Sequence, residues 1–124
     1  MVYTSYFAQC RKIPEWQQVS IARWNPKWFN GAWYEGLAPS PRLLKAYKDG
    51  KVDETKYAEI YKSRLNEERL AKFKKFLDGF SGEHVYLLCY EKPEDFCHRH
   101  LVAEWLNENG IVVKEATFTE ADEW

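Results

Sequence analysis

The hydrophobic pattern of this chain switches between a period of two and a period of three to four. Residues 2–8, Val-Tyr-Thr-Ser-Tyr-Phe-Ala, are β-branched and aromatic and predict a first strand. Cys10 to Pro14 connects, since proline does not continue a strand ladder. A short second strand is predicted over 19–23, and Pro26 ends the regular pattern. Ser40 before Pro41 is a helix start, with serine as cap and proline at the first helical position. That helix carries Leu43, Leu44 and Tyr47 and stops at Gly50.

Asp53 caps the next helix, whose stripe is Tyr57, Ile60, Tyr61 and Leu65. A second stripe, Leu70, Phe73, Phe76 and Leu77, is out of phase with it, which predicts a break near Asn66 and Glu67. Gly79 and Gly82 close that segment, and the charged residues between the stripes form a solvated face. Val85-Tyr86-Leu87-Leu88 is continuously apolar, the pattern of a central strand covered on both faces, predicted over 84–89. A helix over 96–108 buries Leu101, Val102, Trp105 and Leu106 and ends at Asn109-Gly110. A fourth strand follows over 111–115, then an acidic, loose tail over 119–124.

Strand, helix, strand at the C-terminal end is a βαβ unit, which brings parallel strands. The expected fold is a single α/β domain spanning 1–124, with a small, mainly parallel sheet of about four strands and helices on both faces. The stretch 24–41 fits no element: it has two glycines, three prolines and five aromatics. So long a loop in a small domain is functional or folded onto its own side chains.

Composition narrows the classes. A chain of 124 residues suits one core, and a net charge of −1 sets up no global field for nucleic acid. No apolar run approaches the ~20 residues of a membrane span. Three cysteines and an N-terminus without signal-peptide character predict a cytoplasmic protein with free thiols. Aromatic content of 17% is high, and most of it belongs in the core.

Candidate chemistry concentrates between Cys89 and His100. In a parallel sheet, ligands bind beyond the carboxyl ends of the strands, which here carry Ser5 and Tyr6, Arg23 and Trp24, and Cys89 to Glu91. The helix beginning near Phe96 adds free N–H groups and a dipole favouring an anion, with Asp95 as its cap. Arg23 and Arg99 are the candidate anion binders. Cys97 in the first turn is a candidate nucleophile with His98 or His100 as base, or else a buried apolar residue. Cys89 is a ligand contact or packing. Glu91 is a candidate general base or a surface carboxylate. Trp24, Trp28, Trp33 and Tyr34 could stack on a base or pin their loop to the body. Cys89, Cys97 and His100 are zinc-ligand types, with His84 or Glu91 as a fourth. Paired C-x-x-C spacing is absent, so the expectation is no metal and no cofactor.

Cys89-Tyr90-Glu91 followed by Cys97-His98-Arg99 resembles the signature of the family called domain of unknown function 488, in which a strand ending Leu-Leu-Cys-x-Glu leads to Cys-His-Arg at a helix start. Leu37-Ala38-Pro39-Ser40 and the Tyr57, Tyr61, Leu65 helix also resemble its shorter members, and the similarity covers most of 2–115. The resemblance implies a compact α/β domain of bacteria and phages. It groups Cys89, Glu91, Cys97, His98 and Arg99 into one site and implies no particular activity. Longer members begin Thr-Ile-Gly-His-Ser where this chain has Tyr3-Thr4-Ser5-Tyr6-Phe7, so a histidine is missing here.

The combined reading is a small enzyme acting on a phosphate-bearing, nucleotide-like ligand or a nucleic-acid end. Arg23 and Arg99 hold the anion, and Glu91 with Cys97 or His98 does the chemistry. The alternatives are a non-catalytic binder of nucleotide or single-stranded nucleic acid, and a metal-binding domain. Substrate, reaction type and oligomeric state are not written in the sequence.

Overall fold

A computed structural model describes residues 1–80 and 82–118; the acidic stretch 119–124 lies outside them. The sheet has five strands, all parallel: β1 (Val2–Tyr6), β2 (Gln18–Ser20), β3 (Ala32–Trp33), β4 (Val85–Cys89) and β5 (Val113–Glu115), in the order β3-β2-β4-β1-β5. As expected, β4 is central and covered on both faces. Leu87 and Leu88 point to opposite sides, and neither is exposed to solvent.

Alternation along β4 sorts the core into two clusters. On one side, Val85 and Leu87 pack with residues of four helices: α1 (Pro41–Lys48), α2 (Glu54–Lys62), α3 (Glu67–Asp78) and α4 (His98–Glu108). On the other, Leu88 packs with Phe7 and Cys10 from a 3₁₀ segment over Phe7–Lys12 and with Ile13, which caps its end. Helical segments thus cover both faces, α on one and 3₁₀ on the other.

Helix starts follow the expected chemistry. Ser40 Oγ accepts from Leu43 N, Asp53 Oδ1 from Lys56 N and Asn66 Oδ1 from Arg69 N. Asn66 therefore makes the break between α2 and α3 a new helix start. Gly50 and Gly110 have φ of 75° and 84°, the left-handed turn that glycine adopts without penalty.

Strand boundaries are shorter than the apolar runs suggested. The first strand stops at Tyr6 because Phe7 already belongs to the 3₁₀ segment, and β5 begins at Val113, not at residue 111. The two-residue β3 arises inside the aromatic loop, where Val19 and Ser20 pair with Ala32 and Trp33. Nothing in that stretch alternates for long enough to announce a strand.

Candidate functional site

All strands run the same way, so their carboxyl ends share one edge, and α4 returns its N-terminus to that edge. Cys97 is the N-cap of α4, in extended conformation, and its side chain makes no capping bond. Asp95, the expected cap, lies two residues too early; its own N–H bonds to Lys92 O in a turn.

His98, the first residue of α4, reaches the end of β2. Its Nε2 lies 2.7 Å from the Ile21 carbonyl oxygen. A carbonyl only accepts, so Nε2 carries the proton and the lone pair sits on Nδ1. Nδ1 lies 3.8 Å from Cys97 Sγ. Burial pulls the imidazole pKa down to about 4 against the opposing pull of the Ile21 carbonyl, so the ring is neutral at pH 7. Tyr61 packs edge-on against it at 5.6 Å.

Cys89 and Cys97 are joined as a disulfide across a Cα separation of 7.5 Å, where the sequence predicted free thiols. Their proximity comes from tertiary structure: the last residue of β4 and the cap of α4 meet at the sheet edge, eight residues apart in the chain. Cys10 is a free, buried thiol pushed up to about 11 by burial.

Arg99 does not point into an open cleft. It is fully buried and forms a two-pronged ion pair with Glu115, through Nε to Oε1 at 3.1 Å and Nη2 to Oε2 at 2.9 Å. Nη1 donates to Cys89 Sγ at 2.9 Å and to the Glu91 carbonyl at 2.5 Å. Thr4 Oγ1 donates to the same Glu115 at 2.6 Å. The guanidinium already has its anion, supplied by β5. Tyr6, half-buried, covers it at 5.7 Å, and Ser5 is wholly buried; neither lines the two cavities described below.

The remaining predicted site residues do converge. Arg23, Trp24, Cys89, Glu91, Cys97 and His98 all border one cavity of about 480 Å³. The two cysteines and His98 form its buried floor. Tyr47, Tyr57 and Phe96 form an aromatic wall, with ring centroids 5.2–5.6 Å apart. Burial, and then the charge of Glu91, raises the Tyr57 hydroxyl well above its ordinary value, so it remains a hydrogen-bond donor. Trp24, Tyr90 and Glu91 are exposed at the rim, and Lys48 adds a cation there.

A second cavity, about 340 Å³, adjoins the first through Arg23 and Pro39. It brings together Arg23, Arg64 and Arg69. Arg23 donates through Nε to Pro39 O at 2.9 Å and through Nη1 to Glu35 at 2.6 Å, while Arg69 Nη1 donates to Gly36 O at 2.6 Å. These bonds hold two guanidiniums at the cavity wall without using all their donors.

Sequence reasoning missed the Arg64–Arg69 pair, the Tyr47–Tyr57–Phe96 wall and Glu115. The arginines read as a solvated helix face, Tyr47 and Tyr57 as apolar helix positions, and Phe96 as the start of a helix. Nothing near Glu115 marks it as the partner of a residue in another element. The aromatic loop divides: Tyr34 pins it, packing 5.4 Å from Phe73, while the rings of Trp24, Trp28 and Trp33 remain largely exposed. His100 is not in the thiol cluster, and His84 precedes β4 at the opposite edge, against Tyr3.

The Cys-His-Arg segment at the start of α4 thus lies at the carboxyl edge of a five-stranded parallel α/β domain. The family model described as the active DUF488-N3 subclade matches residues 4–110, and the chain belongs to this family. No curated protein and no solved structure matches it. No helix among the described residues is long and apolar enough to cross a membrane.

Proposed function

We propose that the protein is a small enzyme that acts on a phosphate-bearing, nucleotide-like ligand or a nucleic-acid end. The observation that carries this reading is the pairing of two adjoining cavities. One is walled by aromatic rings and floored by thiols and an imidazole; the other presents three arginines. A planar base fits the first, where ring stacking contributes about 1–3 kcal/mol. A phosphate fits the second, where charge-assisted guanidinium bonds are the strong ones. Arg23, common to both, sits where base-bearing sugar and phosphate would join. Glu35 takes part of its charge, so Arg64 and Arg69 supply most of the attraction.

The floor is the reaction centre. Neutral His98 offers Nδ1 as a base, and reduced Cys97 beside it is the nearest nucleophile. Glu91 stands at the rim as a second proton acceptor. A second reading, a non-catalytic binder of single-stranded nucleic acid, is favoured by the exposed Trp24 and Trp28 rings and by Tyr90, which packs against Phe7 as Trp28 does. Titration of nucleoside monophosphates and 5′-phosphorylated oligonucleotides, followed by tryptophan fluorescence, tests the common part. The Arg64→Ala/Arg69→Ala variant should weaken binding at least about tenfold, given roughly 1.5–3 kcal/mol per charged bond. Wild type that binds none of these compounds would sink the proposal. Alkylation of the reduced protein separates the readings, because an enzyme loses turnover whereas a binder only loses affinity.

A further inference from the structure

We infer that Cys89, Cys97 and His98 in their reduced form are three protein ligands of a zinc ion whose fourth position opens into the aromatic cavity. The inference concerns the floor and is independent of the nucleotide-binding part of the proposed function, which rests on the walls; with zinc bound, Cys97 and His98 Nδ1 serve as ligands in place of nucleophile and base. The two Sγ atoms and a ring nitrogen of His98 lie within 4.8 Å of one another, and all three residues are buried. Zinc bonds of about 2.0–2.3 Å require this kind of convergence of sulfur and imidazole donors.

The imidazole is oriented for the role. Its Nε2–H is fixed on the Ile21 carbonyl at 2.7 Å, which leaves Nδ1 bare and turned toward Cys97 Sγ. A metal-ligating histidine characteristically gives its other N–H to a carbonyl or carboxylate, which sets tautomer and ring plane. Cys89 has a matching outer contact, the 2.9 Å bond from Arg99 Nη1 to its sulfur. That bond donates to the sulfur whether it is thiol or thiolate.

Charge closes in the same way. Arg99 and Glu115 cancel each other as an ion pair. Two thiolates, one neutral imidazole and a divalent ion also sum to zero. A buried site must reach neutrality by some such route, because unpaired charge away from water is costly. The carriers fit too: the 7.5 Å between the Cα atoms exceeds the roughly 4.4–6.8 Å that most disulfides span. Two thiolates sharing one ion suit this wider spacing.

Cys89, Cys97 and His98 all face the cavity of about 480 Å³, so a fourth ligand comes from there. Among the described residues, no fourth side chain joins the cluster. Three protein ligands and an open position characterise catalytic zinc, which lowers the pKa of its bound water. The disulfide and the metal site are alternative states of one pair of thiols. A trialkylphosphine converts the first to the second: the S–S bond breaks, water supplies its oxygen to the phosphine oxide and its two hydrogens to the thiols, and the ion then displaces both thiol protons to solvent.

The test uses full-length protein reduced with such a phosphine, freed of reductant, and loaded with zinc or cobalt alone. Zinc content should reach about one ion per chain, as a three-ligand site with water requires. The cobalt form should show the visible absorption of a tetrahedral ion and thiolate-to-cobalt charge transfer in the near ultraviolet. Cys89→Ser, Cys97→Ser and His98→Ala should each weaken zinc binding by more than the roughly 10–100-fold that losing an outer-sphere partner costs. Folding of each variant is checked by circular dichroism. Reduced, folded wild type that holds no more zinc than a Cys89→Ser/Cys97→Ser variant overturns the inference. So does a cobalt spectrum that is unchanged in a folded His98→Ala protein. Nucleotide titration of the metal-free reduced protein is read separately, so failure of the metal site and failure of the nucleotide reading remain distinguishable.

Discussion

Arg99 has five N–H donors, and four are committed inside the protein, two to Glu115, one to Cys89 and one to a carbonyl. Its side chain is fully buried while that of Glu115 is about 25% exposed, so the pair is desolvated mainly on the arginine side. Removing one partner of a buried pair typically costs about 3–5 kcal/mol, and the partial hydration of Glu115 places Arg99→Ala near the lower figure, ~3 kcal/mol. Urea unfolding measures this directly. Arg99→Lys should recover little, because a single ammonium cannot reproduce the fork that meets both carboxylate oxygens. A loss below about 1 kcal/mol, the scale of an exposed pair, would contradict the clamp. Cys10 offers a second residue-scale prediction. With its pKa pushed up to about 11 by burial, its thiol should stay unmodified by a thiol reagent at pH 8 while the protein is folded, and react once it is denatured.

Among the elements, α1 links folding to the site. Its N-cap bond, from Leu43 N to Ser40 Oγ at 3.1 Å, fixes the start of the helix whose Leu44, Tyr47 and Lys48 border the cavity. Ser40→Ala should cost about 1 kcal/mol of stability in chemical denaturation, the usual loss for a cap. It should also weaken ligand binding at the aromatic wall, since Tyr47 loses part of its support; unchanged binding would place the wall's rigidity in α2 and Phe96 instead. The start of α4 shows the opposite choice. Cys97 occupies the cap without capping, its sulfur turned toward Cys89 and His98. Local helix chemistry yields there to the cluster at the sheet edge, a conflict expected where function overrides local preference.

In the whole molecule, one apolar strand holds both layers together. Leu87 and Leu88 are fully buried on opposite faces of β4, the strand between β2 and β1. Leu87→Ala should cost about 2–5 kcal/mol, the transfer term plus the void left among packed helices. A cost under about 1 kcal/mol would mean that the helical layer collapses freely onto the sheet. The same strand delivers Cys89 to the site, so stability and site geometry share their central element. Under the proposed function, a net charge of −1 would leave attraction of an anionic ligand to the local arginines, with no help from the molecule as a whole.

Periodicity and local chemistry were enough to determine α/β class, the central strand, two helix caps and the break between α2 and α3. These features depend on neighbours in the chain: alternating side chains, a serine before a proline, an apolar run before a Cys-His-Arg turn. Six residues expected at the site do meet at one cavity, because a parallel sheet sends all its strand ends to one side. The fate of each side chain was decided only in three dimensions. Arg99 faces inward because Glu115, sixteen residues away, arrives at the same edge on β5. His98 replaces His100 beside the thiols because its ring, from the first position of α4, reaches the Ile21 carbonyl. The arginines of the second cavity gather from the segment after β2 and from either side of the break between α2 and α3. Such pairings depend on which elements are neighbours in space, and a sequence spacing does not record that.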